Sequence, residues 1–311
     1  MDYSYYFRTE LSLDRDWSEY DLFLSVFNSS DRVNEVYNRI KSESKYWLII
    51  PEYEYVEKDY PKEPFIKLSG GNESEQLQSL LKLLNLKDYK NSKVCVDLTG
   101  FMRPQMLFLL FYFKTMGFKE IDFVYSEPDH YIKKEKTKFS EGSIYDTRQI
   151  QGYAGSSSLK GTKDLLIIAS GYDTNLIAKV AQYKESAEIV QILGFPSLRA
   201  DMYQENVLRT IAAAESFTAK TLAEPIFAPA SDPFETANVV ESFILDNDCL
   251  EKFDHIYICP LSTKAQTLGI GLAYQNTFVG KPVSLLFPFT SKYSKETSVG
   301  ISKVWLYKVE F

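Results

Sequence analysis

Two cations stand at matching places in this chain. Arg103 lies in "CVDLTGFMRPQML" (95–107) and Lys264 in "ICPLSTKAQTL" (258–268). Each follows an apolar run and a small polar turn, and each opens a second apolar run that reads as a helix. A cation in the first turn of a helix opposes the positive end of the macrodipole, and capping does not require it. An anion is therefore expected nearby. Arg can grip a phosphate or carboxylate bidentately, and Lys can act as a point charge. The anion can be a ligand, or it can be Asp97 or Asp173, in which case the turn is a structural ion pair.

Four polar turns carry this pattern: "FNSSD" (27–31), "DLTGFMRPQ" (97–105), "ASGYDTN" (169–175) and "PLSTKAQ" (260–266). Small residues let backbone N–H groups approach a ligand at a helix N-terminus. The candidate ligand-binding residues are Thr99, Gly100, Arg103 and Gln105 in the first half. In the second they are Ser170, Gly171, Tyr172, Asp173, Asn175, Ser262, Thr263, Lys264 and Gln266. Tyr172 can stack on a base. The plainer reading stands beside this one: Ser, Thr, Asp and Asn before helices are ordinary caps, worth about 1 kcal/mol each, and Gly100 and Gly171 can be turn residues only.

Other signals are weaker. His255 opens a predicted strand away from the ligand end and reads as structural. His130 lies just past a strand end and can line a site. No Ser-His-Asp arrangement, P-loop or GxGxxG pattern is evident, so no cofactor and no metal are expected. Glu73/Glu75 and Asp232/Glu235 open helices and read as caps rather than acid/base pairs.

The elements that must hold these turns form an internal repeat. "YDLFLSVFNSSDRVNEVYNRI" (from Tyr20) aligns with "KDLLIIASGYDTNLIAKVAQY" (from Lys163). With a single-residue gap further on, Arg103 falls on Lys264, Gln105 on Gln266 and Tyr131 on Tyr293. Each half reads strand, helix, strand, helix, strand, helix, strand. The strands are short and continuously apolar, as at Val94–Leu98, Leu165–Ala169, Ile256–Cys259 and Val283–Phe287. That suits parallel strands buried on both faces.

The expected fold is α/β: two Rossmann-like parallel-sheet repeats forming a pseudo-dimer, with extra edge strands at both termini. The expected division is a first unit at 1–139, a Gly/Ser-rich linker at 140–162 and a second unit at 163–311. The helix at 104–116 is apolar nearly all round and is expected to be buried on most sides.

Composition sets the outer limits. The chain has 311 residues, 45% hydrophobic and 25% charged, ample for a large core. A net charge of -7 argues against a general nucleic-acid binder but not against a basic pocket. The cysteines, Cys95, Cys249 and Cys259, form no close metal-ligand pair, and an odd number fits a reducing compartment. With no leader-like start and no apolar run near 18 residues, the expected location is the cytoplasm, without a membrane partner.

The stretches "IIASGYDTN" and "ICPLSTKAQTLGIGLAY", with "VDLTGFMRPQMLFLL" as a diverged counterpart, resemble CARF-type sensor domains. Those are Rossmann-like units that recognise cyclic oligonucleotides or other nucleotides. Two units in one chain resemble the fused pair of SAVED domains. The resemblance implies a nucleotide-sensing or scaffolding subunit of a prokaryotic antiviral defence system. CARF and SAVED proteins usually carry an effector domain, and an Arg-x4-His nuclease motif is missing here: the positions five before each His are Tyr125 and Leu250. The resemblance therefore implies a protein partner that carries the effector, and no enzymatic activity in this chain. The alternatives are an enzyme acting on nucleotides, of ring-nuclease or glycosidase/phosphoribosyl type, and an assembly module with decayed pockets.

Overall fold

The computed structural model describes residues 2–131, 140–156, 163–199, 204, 207, 208, 224–295 and 298–311. Along the chain run β1 (Arg8–Glu10), β2 (Glu19–Val26), α1 (Asp31–Arg39), β3 (Lys41–Ile49), β4 (Phe65–Lys67), α2 (Glu73–Leu83), β5 (Val94–Asp97), α3 (Arg103–Met116) and β6 (Glu120–Glu127). Next come β7 (His130–Tyr131), β8 (Ser140–Gln149), β9 (Asp164–Ala169), α4 (Thr174–Tyr183), β10 (Glu188–Gly194) and β11 (Ile226–Ala228). The last elements are α5 (Pro233–Asp246), α6 (Cys249–Lys252), β12 (His255–Pro260), α7 (Lys264–Ala273), β13 (Val283–Tyr293), β14 (Ser298–Val299) and β15 (Lys303–Glu310).

The chain forms two units. The first comprises Tyr6–Gly142 with Lys292–Phe311, and the second Met1–Tyr5 with Ser143–Ser291. The sheet of the first is ordered β1-β15-β6-β5-β2-β3-β4, and that of the second β11-β10-β9-β12-β13-β8. In the first unit β6, β5, β2, β3 and β4 are parallel neighbours. In the second, β11, β10, β9, β12 and β13 are parallel neighbours. Counting parallel strands within each unit, both sheets have the order 3-2-1-4-5 of doubly wound nucleotide-binding folds. The expected repeat is thus present as a repeated topology.

The physical cause lies in the apolar runs. All four residues of β5 are buried, as are Leu165 to Ala169 in β9 and seven consecutive residues of β6. Strands so buried need covering on both faces, and the helical crossovers supply it. Helix α3 packs on α2, and α7 on α5, at corresponding places. As its composition predicts, α3 buries Met106, Leu107, Leu109, Leu110 and Phe113.

The termini behave as added strands. β15 pairs antiparallel with β6, and β1 antiparallel with β15. The division therefore departs from the expected boundaries, because the C-terminal strand belongs to the first unit's sheet. Residues at the N-terminus join the second unit, where the Tyr3 hydroxyl donates to Glu241 Oε1 at 2.8 Å. The expected linker is also shorter. Its start is β8, an edge strand of the second sheet. Beyond it, Ile150 N–H donates to the Leu285 carbonyl and Gly155 N–H to Ser284 Oγ. Residues 157–162 lie outside the described residues. Among the described residues, no helix is long and apolar enough to cross a membrane.

Candidate functional site

The four polar turns lie at the carboxyl ends of β2, β5, β9 and β12, where ligands bind in open parallel sheets. These are the first and fourth parallel strands of each unit, so the turns flank the point where strand order reverses.

In both units the two turns meet through a glycine. A Cβ built on Gly171 would stand 2.1 Å from the Leu261 carbonyl oxygen and 3.4 Å from Ser262 Cα. A Cβ on Gly100 would stand 2.4 Å from the Val26 carbonyl oxygen. The two units solve the same steric problem from opposite sides. In the second unit the glycine sits in the turn after the first strand, and in the first unit in the turn after the fourth. Gly171 and Gly100 are therefore needed for close backbone approach. The absence of glycine from "FNSSD" is accounted for by Gly100 and does not require a decayed site.

Several predicted site residues hold the turns in place. Ser170 is buried and donates to Gln191 Oε1 at 2.6 Å. Thr99 is buried, its Oγ1 3.0 Å from Ser126 Oγ and accepting from Ser126 N–H. Asp97 accepts from Ser25 Oγ and Thr99 N–H, both at 2.9 Å, and so ties β2 to the turn after β5. Thr263 caps α7 by accepting from Gln266 N–H, and donates to the Ala230 carbonyl at 2.5 Å. Gln266, buried, donates to the Ala228 carbonyl at 3.0 Å. Asp173 caps α4, accepting from Leu176 N–H. Ser262 is buried, Tyr172 half-buried and Asn175 exposed.

Arg103 and Lys264 are the first residues of α3 and α7, both half-buried, as their alignment predicts. The first unit adds a cation that sequence reasoning missed. Arg32 lies in the first turn of α1, and its Nη1 donates to the Ser126 carbonyl at 2.5 Å. Its Nε is buried with no hydrogen-bond partner among the described residues. Burial pushes the Tyr125 phenol up, while the Arg32 and Arg103 guanidinium groups pull it back. Thus two arginines from the N-terminal turns of two helices lie near one buried phenol at the carboxyl end of β6.

A cleft of about 380 Å³ lies in the first unit beyond the carboxyl ends of β2 and β3, with Ser29, Glu52, Tyr53, Lys292, Tyr293 and Lys295 in its wall. Tyr53 is buried and donates to the Gly100 carbonyl at 3.0 Å, which joins this wall to the turn after β5. Glu52 connects it to a predicted residue: Gln105 Nε2 donates to Glu52 Oε1 at 3.0 Å and to Gln76 Oε1 at 2.9 Å, and Gln76 Nε2 donates to Glu52 Oε1 at 2.7 Å. The signal that could have found Glu52 is its place after the second parallel strand, where dinucleotide-binding Rossmann folds carry an acidic residue.

The other titratable groups singled out by the sequence have local partners. His255 Nε2 lies 2.8 Å from Ser284 Oγ, both buried at the amino ends of their strands. Ser284 also accepts from Gly155 N–H, and burial pushes the His255 imidazole down. His130 is exposed beside Asp129 at 3.2 Å. Asn72 and Asp232 cap α2 and α5, and Glu75 accepts from Gly71 N–H, so Glu75 and Asp232 serve the N-termini of these helices. No protein-family model matches the chain, and no curated protein is similar to it in sequence.

Proposed function

We propose that the protein is a nucleotide-sensing or scaffolding subunit of a prokaryotic antiviral defence system, its output passing through a protein partner that carries the effector. The observation that carries this reading is the shared 3-2-1-4-5 order, with a helix that begins on a cation beside the reversal point of each sheet. Arg103 and Lys264 oppose their helix dipoles, and Arg32 adds a second such cation in the first unit. A phosphate bound there turns that unfavourable field into a favourable one. The resemblance of "IIASGYDTN" and "ICPLSTKAQTLGIGLAY" to CARF-type sensors supports a cyclic oligonucleotide as the ligand and the cytoplasm as the setting.

The test is a thermal-shift screen of the purified chain against cyclic oligoribonucleotides and mononucleotides, with chromatography of the recovered nucleotide. A ligand at 100 times its dissociation constant stabilises by about 2.7 kcal/mol. The reading predicts a stabilising nucleotide recovered intact. A nucleotide recovered cleaved would establish the enzymatic alternative instead, and no shift with any nucleotide would leave only an assembly module.

A further inference from the structure

The triangle of Glu52, Gln76 and Gln105 is complete on one side and incomplete on the other. Both Nε2 protons of Gln105 are used, by Glu52 Oε1 and Gln76 Oε1, and Glu52 Oε1 also takes a proton from Gln76. The other two acceptors, Glu52 Oε2 and Gln105 Oε1, are buried and have no donor among the described residues. Gln105 itself is only 4% exposed. A buried acceptor left without a donor is costly, and a carboxylate oxygen more so. This group therefore lacks donors, and Glu52 lines the cleft from which a donor can come. The last torsion of a glutamate is broad, so a small turn of the carboxylate presents Oε2 to that cleft.

The same cleft also carries positive charge. Lys292 Nζ meets Glu54 Oε2 at 2.7 Å, with both side chains about half exposed. Such a surface pair is worth little, so the ammonium can exchange its partner for a phosphate. Lys295 stands 4.3 Å over the Tyr55 ring. A volume of about 380 Å³ falls in the range of small-molecule sites. The register has a parallel: in dinucleotide-binding Rossmann folds an acidic residue about 20 residues after the first phosphate turn accepts a ribose hydroxyl. Glu52 stands at the corresponding place, after β3.

We propose that this cleft reads ribose. Glu52 accepts the 2′- or 3′-hydroxyl of a bound ribonucleotide, Gln105 and Gln76 fix the carboxylate, and Lys292 and Lys295 attract the anionic nucleotide to the cleft. The proposal rests on the nucleotide-binding reading above and assigns that reading a site in the first unit and a sugar specificity.

The experiment is isothermal titration of the full chain with AMP, GMP, CMP and UMP and with the 2′-deoxy and 3′-deoxy counterparts of whichever binds. Binding of a ribonucleotide about tenfold or more tighter than one of its deoxy counterparts is expected, the size of one hydrogen bond to a charged acceptor. Glu52→Gln is expected to bind both forms alike, at about the weaker value. Equal affinity for ribo and deoxy forms in the wild-type chain overturns the proposal without any variant, leaving a trapped water as the missing donor. No binding of any mononucleotide overturns it as well. The broader reading then stands or falls separately, on the cyclic oligonucleotide screen.

Discussion

Replacing Gly171 with Ala tests the meeting of the two turns in the second unit. The new methyl carbon would stand 2.1 Å from the Leu261 carbonyl oxygen and 3.0 Å from its carbon, whereas real Cβ atoms essentially never come under 3.0 Å. The obstructing atoms are backbone, so no side chain can swing aside. Overpacking of this kind costs about 1–3 kcal/mol. Restricting the unfolded chain returns about 0.4–1 kcal/mol, since no positive φ stands in the way of Ala here. Taken from the middle of the two ranges, a cost of about 2 less a return of about 0.7, the net loss is about 1–2 kcal/mol, a Tm lower by about 2–8 °C for a unit of this size. Gly100→Ala, facing the Val26 carbonyl at 2.4 Å, is expected to behave alike in the first unit. Gly71→Ala is the control: its Cβ would meet only Glu75 Oε2, at 3.7 Å. Scanning calorimetry of the three variants decides the matter. A Gly171→Ala chain as stable as the wild type would refute the close approach.

Further outcomes follow from the buried polar groups. Ser170→Ala strands Gln191 Oε1 and is expected to cost about 1–3 kcal/mol in urea unfolding; a neutral result would show that the Ser170 hydroxyl does not hold the turn. His255 is held neutral by burial, below the ordinary value of 6.5, so its contribution is full above pH 6.5 and is lost as the pH falls below it. His255→Gln is therefore expected to flatten the stability profile between pH 6.5 and 5 relative to the wild type, and parallel profiles would contradict this. Asp122 has the opposite sign of interest: burial raises its carboxyl above 3.8, so ionisation opposes folding at neutral pH and the penalty fades as the pH falls through the raised value. Asp122→Asn is expected to be at least as stable as the wild type at pH 7 and to lose any advantage near pH 4, with denaturant midpoints as the readout; a marked loss at pH 7 would contradict this.

The continuous apolar runs made the central strands legible, because strands buried on both faces leave no polar alternation to confuse them. The starts of α3 and α7 at Arg103 and Lys264 were legible from the repeat. Strand β8 was not, since an edge strand needs no apolar run and the glycines and serines that follow it dominate the stretch. Strands β4 and β11 span only three residues each, too few for any period to register. Glu52 looks ordinary in "IIPEY" because what singles it out is spatial: Gln76 and Gln105 lie 24 and 53 residues away. The His255–Ser284 pair is separated by 29 residues and is equally invisible to spacing rules. The glycines were visible, but their roles depended on which turn each one faces.

In the proposed sensor, nucleotide phosphate is bound where α3 and α7 begin. Titration calorimetry of the wild-type chain, Arg103→Ala and Lys264→Ala with the stabilising nucleotide found by thermal shift tests it most directly. At least one of the two variants is expected to bind tenfold or more weakly, the size of a lost charged contact, while its Tm without ligand stays near that of the wild type. Wild-type affinity in both variants would rule out phosphate binding at these helix starts, as would a chain that loses its fold with either cation while no nucleotide binds the wild type.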